Sequence, residues 1–317
     1  MRNVSSSPGK EFSMSPEGSF QLATAQEYFG GWPTSPGGDI VMAFPVEGWT
    51  TSAAVVLRQD AGQVNGAVHG AGANAELAWQ QALATVSLDV DGRGFEAVAK
   101  RDAFVGNLWA EHGRLRPVLF HSPYEAACAF VIGHRITIAQ TRKIRARMAE
   151  ELGAGINAGG QTFHAFPAPR VLLELDAFPG VAASKVDRLH AVAQAALDGG
   201  LLRRRLLEMP EADALAYLKT LPGVGDFFAQ GILSRGAGLV DFITDDDLTP
   251  RAVELAYGMD HRPGRAEVLE RAEAWRPYRM WALVLLHVWL RRQPKSVIGP
   301  RQFGRGAGGP RRPQGAA

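Results

Sequence analysis

Two short stretches of this 317-residue chain combine residue types and spacing that could do chemistry together: Leu221-Pro222-Gly223-Val224-Gly225 and the acidic run Asp245-Asp246-Asp247. Glycines one residue apart let the backbone turn sharply and approach another surface closely. Residues 210–220 before them read as a helix with Ala214, Leu215 and Leu218 on one side, and residues 227–235 after them read as a second helix. In such a helix, hairpin, helix unit the first N–H groups of the second helix have no internal acceptor and carry partial positive charge. A phosphate can dock there without Lys or Arg. Asp247 then supplies a carboxylate for chemistry on the molecule that carries the phosphate, with Asp246 and Asp245 as alternates. Two bland readings stand beside this one. Pro-Gly turns also join helices that bind nothing, and Asp247 could simply cap the helix that follows it.

The elements that must position these residues are mostly helical. After Asp102 the apolar spacing follows the helical period as far as Arg292, with helices expected over 102–112, 122–152 (broken near Gly133), 167–176, 181–198, 200–207, 210–220, 225–236, 247–257, 264–274 and 276–292. Before that point a helix is expected over 19–29, then extended segments over 39–46, 51–58 and 63–69 with Gly, Pro and Asp punctuation, as in an antiparallel meander, then a helix from Ala73 to about Leu88. The fold class is therefore α+β, with residues 1–12 disordered, 13–101 a small N-terminal α+β domain, 102–293 a helical domain, and 294–317 a disordered Gly/Pro/Arg tail.

Composition narrows the function classes. The formal net charge is only +2, so any nucleic-acid contact must come from a local patch and from backbone amides. Cys128 is the sole cysteine and lies in an apolar run, which excludes a disulfide framework within the chain and argues against a cysteine-ligated metal or iron–sulfur centre. The Ser-rich first ten residues do not read as a signal peptide. The longest apolar run, 280–290, is interrupted by His287 and too short for a bilayer, so a cytoplasmic, non-membrane protein is expected.

LPGVGDFFAQGILSRG (221–236), VDFITDDDL (240–248) and WRPYRMWALVLLHVW (275–289) together resemble the helix-hairpin-helix base-excision DNA glycosylases, in particular the 3-methyladenine DNA glycosylase II (AlkA) branch. SPYEAACAFVIGHRITIAQ (122–140) resembles the helix that carries that family's DNA-wedging loop, and the N-terminal module fits the branch's extra α+β domain by element order. The resemblance covers about 105–292. It implies that Leu221, Gly223, Val224 and Gly225 grip the DNA backbone, that Arg135 stands at the wedge, that Phe227 and Trp289 line the base pocket, and that Asp247 is the catalytic aspartate. Arg135 replaces a leucine of that branch, and can stack on bases through its planar guanidinium or simply contact a phosphate. Two further aromatic pocket positions of the branch fall on Gly231 and Leu248, which implies a roomier pocket. Trp281 reads as helix core.

A glycosylase must take its target nucleotide out of the stack. Breaking the glycosidic bond leaves positive charge on the sugar, which a nearby carboxylate stabilises. Bifunctional relatives place a lysine nucleophile where this chain has Phe227, so the resemblance implies a monofunctional enzyme with water as nucleophile and an abasic site as product. The implied substrate is an alkylated base such as 3-methyladenine or 7-methylguanine in double-stranded DNA. The implied enzyme is a monomer without cofactor, save a monovalent cation that the family's hairpin can bind. The alternatives are a related glycosylase for deaminated or oxidised bases, and a non-catalytic DNA-binding protein. The basic run Arg142, Lys143, Arg145 and Arg147 cannot all face one side of a helix, so only a subset could meet phosphates.

Overall fold

The computed structural model describes residues 9–28, 31–294 and 296. Strand β1 (Lys10–Met14) leads into helix α1 (Leu22–Tyr28) and strands β2 (Ile40–Pro45), β3 (Ser52–Asp60) and β4 (Gln63–His69). These form an antiparallel four-stranded sheet in the order β1-β4-β3-β2. The expected disorder over 1–12 is thus corrected at its end. Lys10 to Met14 pair residue for residue with Val68 to Val64, because β4 would otherwise expose an open edge. Helix α2 (Ala75–Thr85) covers one face of the sheet, with Trp79, Ala82 and Leu83 in a core shared with Met42, Phe44, Val55, Leu57 and Val64.

The opposite face is covered by an element that the sequence reading did not find. Strands β5 (Gly155–Ala158) and β6 (Gln161–His164) form a hairpin whose Ile156, Ala158 and Phe163 pack on Val41 and Ala54. Covered on both faces, β2 is buried almost throughout and reads as a continuous apolar run.

The remaining helices are α3 (Phe95–Arg101), α4 (Ala103–Glu111), α5 (Pro123–Gly133), α6 (Ile138–Leu152), α7 (Pro169–Leu173), α8 (Ala183–Leu197), α9 (Arg203–Glu208), α10 (Glu211–Lys219), α11 (Asp226–Gly231), α12 (Leu248–Ala256), α13 (Arg265–Ala272) and α14 (Arg279–Arg292). The break expected near Gly133 is present between α5 and α6. Two clusters hold the helices together. One gathers α5 and α8 to α11, with Tyr124, Ile132, Leu189, Leu218 and Ile232; the other gathers α3, α4 and α12 to α14, with Phe95, Trp109, Val253, Trp275 and Trp281. Trp281 is core, as expected. Helix α3 precedes residue 102 yet shares its core with α4 and α14, so the last turn of the expected N-terminal module packs with the helices. Cys128 is fully buried. Apart from Pro294 and Ser296, the expected tail lies outside the described residues. Among the described residues no helix is long and apolar enough to cross a membrane.

Candidate active site

The hairpin is pinned from below by its apolar side chains. Leu221 and Val224 are buried with Ala214 and Leu218, and the Val224 amide donates to the Leu221 carbonyl at 3.0 Å. These two residues can therefore offer a ligand only their backbones. Gly223 sits at φ +82, the left-handed region that favours glycine. Gly225 is extended and opens α11, with open space where a side chain would stand. An anion can approach the first-turn amides of α11 there.

Helix α11 also fixes the acidic run. The Gln230 side-chain oxygen accepts from the Asp245 amide at 2.6 Å, which draws residues 245–247 against the helix that follows the hairpin. The three acids then diverge. Asp245 and Asp247 are exposed, and the Asp247 side chain makes no cap bond. Asp246 is the cap: its carboxylate accepts from the Leu248 and Thr249 amides, both at 2.8 Å, and from the Thr244 hydroxyl at 2.6 Å. The cap reading of Asp247 is corrected by one residue, because only Asp246 turns back onto the first amides of α12. The Asp246 side chain is 12% exposed. Burial alone would raise its pKa. The neighbouring His287 and the bonds from Thr244, Thr249 and Leu248 outweigh burial and hold it below the usual carboxylate range.

His287 is the partner that the sequence reading missed. Its Nε2 lies 3.1 Å from the Thr249 hydroxyl and 3.9 Å from the Asp246 carboxylate. Burial pushes the imidazole down to about 4 against the pull of Asp246, and the charges of Arg291 and Arg235 add to that push. The signal was available: His287 is the polar interruption in the apolar run of α14. Trp289, two residues on, turns about 200° away around the helix and packs its ring edge-on against Phe104 of α4 at 5.1 Å.

Phe227 lies on the open side of α11 and is 56% exposed. Its neighbours are Phe228 at 5.9 Å and Phe130 of α5 at 6.3 Å, and Phe228 meets the His134 ring at 5.8 Å. The space expected to be free above Gly231 is not: a side chain at that position would meet the Phe130 ring at 2.3 Å.

These ring contacts put the loop after α5 beside the hairpin. Arg135 stands in that loop, exposed and at φ +61. Lys185 of α8 holds the loop, donating from Nζ to the carbonyls of Ile132 at 2.8 Å and His134 at 2.9 Å. Thr137 and Gln140 close the other side with a reciprocal capping box on α6. Ile138, next to the loop, is 63% exposed. Of the basic run on α6, Arg145 pairs with buried Glu125 and Arg147 with Glu151, while Arg142 and Lys143 are exposed. Among the described residues no group of three or more His, Cys, Asp or Glu could hold a metal ion.

No family model matches the chain. It is 24% identical over 204 residues to a DNA-3-methyladenine glycosylase of Bacillus subtilis, covering 63% of this chain and 67% of that one. It is 28% identical over 192 residues to DNA-3-methyladenine glycosylase 2 of Escherichia coli, covering 58% and 63%. The chain thus spans about two thirds of the length of the curated relatives it matches. Among solved structures, a 3-methyladenine DNA-glycosylase from Archaeoglobus fulgidus superposes with a TM-score of 0.71 at 20% identity, over 89% of this chain and 98% of that one. A Clostridium acetobutylicum 8-oxoguanine glycosylase/lyase in complex with double-stranded DNA superposes with a TM-score of 0.64 at 16% identity, over 85% and 90%. With the hairpin, the α+β architecture and these relatives together, the chain belongs to the AlkA-like helix-hairpin-helix DNA glycosylase superfamily.

Proposed function

We propose that the chain is a monofunctional DNA glycosylase that hydrolyses the N-glycosidic bond of alkylated bases, of the 3-methyladenine and 7-methylguanine type, in duplex DNA. The observation that carries this reading is the ionised carboxylate of Asp246, fixed by two backbone amides and a hydroxyl on the element tied to the hairpin helix. As the C1′–N bond breaks, its electron pair leaves with the base and positive charge grows on the sugar. Asp246 stabilises that charge. Water then adds at C1′ and loses a proton, leaving an abasic site. Phe227 offers no amine, so no covalent adduct with the sugar forms. A cationic alkylated base already leaves readily and suits the aromatic faces of Phe227, Phe228 and Phe130.

The test is release of free base from methylated duplex DNA. Asp246→Asn should lower the rate about 10²–10³-fold, as when one preorganised electrostatic partner of a transition state is lost. Asp247→Asn should stay within a few-fold of wild type. The reverse ranking would return the role to Asp247. A borohydride-trapped adduct with the wild-type chain would refute the monofunctional reading. A second reading, release of a neutral oxidised purine, is favoured by one observation: the positive charges of Arg235 and Arg291 lie near His287 and would oppose a cationic base. The same assay on duplex DNA containing 8-oxoguanine decides between the two.

A further inference from the structure

The side of the hairpin away from α11 carries a cluster of cations that the proposed chemistry leaves unused. Arg188 of α8 lies directly over Gly223. A side chain at Gly223 would meet its Cδ, Nε and Cζ at 2.7, 2.8 and 3.0 Å. One helical turn earlier is Lys185, bonded to the loop that holds Arg135. His134 adjoins both. Burial lowers its pKa, and the charges of Arg135, Arg188 and Lys185 lower it further. Burial and Arg188 likewise lower Lys185. Among the described residues none of Arg135, Lys185 and Arg188 has a carboxylate partner within ion-pairing distance. The nearby acids are engaged elsewhere or turned away: Asp226 pairs with Lys219, and Asp187 is exposed one residue from Arg188.

Holding like charges together without a counter-ion opposes folding, and a bound anion relieves it. Lys185 already spends two of its three donors on carbonyls and Arg135 stands exposed in the loop, so Arg188 is the member with donors to spare that is held against the hairpin. Its half-buried stem rests on the hairpin, which fixes the guanidinium fork beside the backbone of Gly223 instead of leaving it loose in solvent. A planar fork at that place matches a phosphodiester, which it can bind through two parallel N–H bonds.

We infer that Arg188 is a DNA phosphate-binding residue. It completes, from α8, a grip whose other half is the glycine backbone of residues 223–225. This rests on the DNA reading above, and binding separates the two without reference to catalysis. The experiment measures affinity of the full chain for a duplex carrying an abasic-site analogue, by fluorescence anisotropy over a range of KCl, for wild type and for Arg188→Lys, Arg188→Ala and Arg188→Glu. Each lost phosphate contact removes about 0.9 from the slope of log affinity against log salt. Arg188→Ala should lower the slope by about one, Arg188→Glu should bind more weakly still, and Arg188→Lys should keep most of the slope. A purely structural Arg188 would make Lys as poor as Ala and leave the slopes equal, and that result would overturn the inference. So would an unchanged affinity in folded Arg188→Ala, while the DNA reading stood. A wild-type chain that binds no duplex at low salt would overturn both.

Discussion

The Asp246 carboxylate lies 3.9 Å from the imidazole of His287, whose protonation burial opposes. The groups facing His287 are Asp246 and Thr249 at the start of α12, Arg235 on the segment after α11, and Arg291 on its own helix. Burial dominates and sets the folded pKa at about 4, below the ordinary value of 6.5. Between those values the unfolded chain binds a proton that the folded chain refuses, so stability falls as pH drops from about 6.5 toward 4. Asp246 is depressed, so its contribution is present above the ordinary carboxylate pKa and is lost as pH falls through its lower folded value. Both groups therefore make acid destabilising. His287→Gln keeps a polar partner for Thr249 and removes the titration, and its melting temperature should fall less steeply than wild type between pH 6.5 and 4.5. Equal slopes would mean that His287 does not carry the effect. In the sequence, the acidic run and its distance from the hairpin were legible, but not which acid turns inward. A shift of one residue at a helix start changes the side-chain direction completely, and counting cannot resolve it. Asp246 is distinguished only by the amides of Leu248 and Thr249.

At the level of elements, the loop between α5 and α6 is braced at both ends, by Lys185 on the α5 carbonyls and by the Thr137–Gln140 box on α6. Lysine suits the first place because the last carbonyls of a helix lack internal donors and carry partial negative charge. Lys185→Met keeps the stem and removes both bonds. It should cost about 1.5–3 kcal/mol, the usual range for bonds to a charged group, and amide hydrogen exchange over residues 132–136 should speed up more than elsewhere. Uniform acceleration would show that the brace is not local. The α5–loop–α6 unit was legible because helical period and Gly133 lie in one stretch. The β5–β6 hairpin was not, although Gly159 and Gly160, both at positive φ, form the turn that a two-residue hairpin needs. Strands of four residues are too short to display alternation, and their burial comes from β2 and β3, more than 90 residues earlier in the chain. The Phe130 ring above Gly231 was hidden for the same reason, since the two positions meet only when α5 packs on α11.

Across the whole molecule, the sheet and the helices bury one another and should not unfold separately. Trp49, in the turn between β2 and β3, leaves its own sheet and enters the helical core. Its ring lies 5.1 Å from that of Tyr124, and its Nε1 donates at 2.8 Å to the Ala196 carbonyl at the end of α8. On the other side, the β5–β6 hairpin reaches back from the helical region onto the sheet. Each part therefore supplies apolar surface to the other, unlike domains joined by a linker that few contacts cross. Trp49→Ala should cost about 3–5 kcal/mol, the range for removing a large buried aromatic. Because the lost contacts belong to both parts, the loss should move a single transition. Helical circular dichroism and the protection of amides in 155–164 should report the same denaturant midpoint in wild type and variant alike. Two separated midpoints, with only the sheet affected by the substitution, would show that the N-terminal sheet is an independent folding unit. The hairpin and the loop at Arg135 stand on helices that Trp49 helps to pack, and the segment of Asp246 is tied to them through Gln230 of α11, so a single cooperative unit would also tie the site's geometry to the integrity of the sheet.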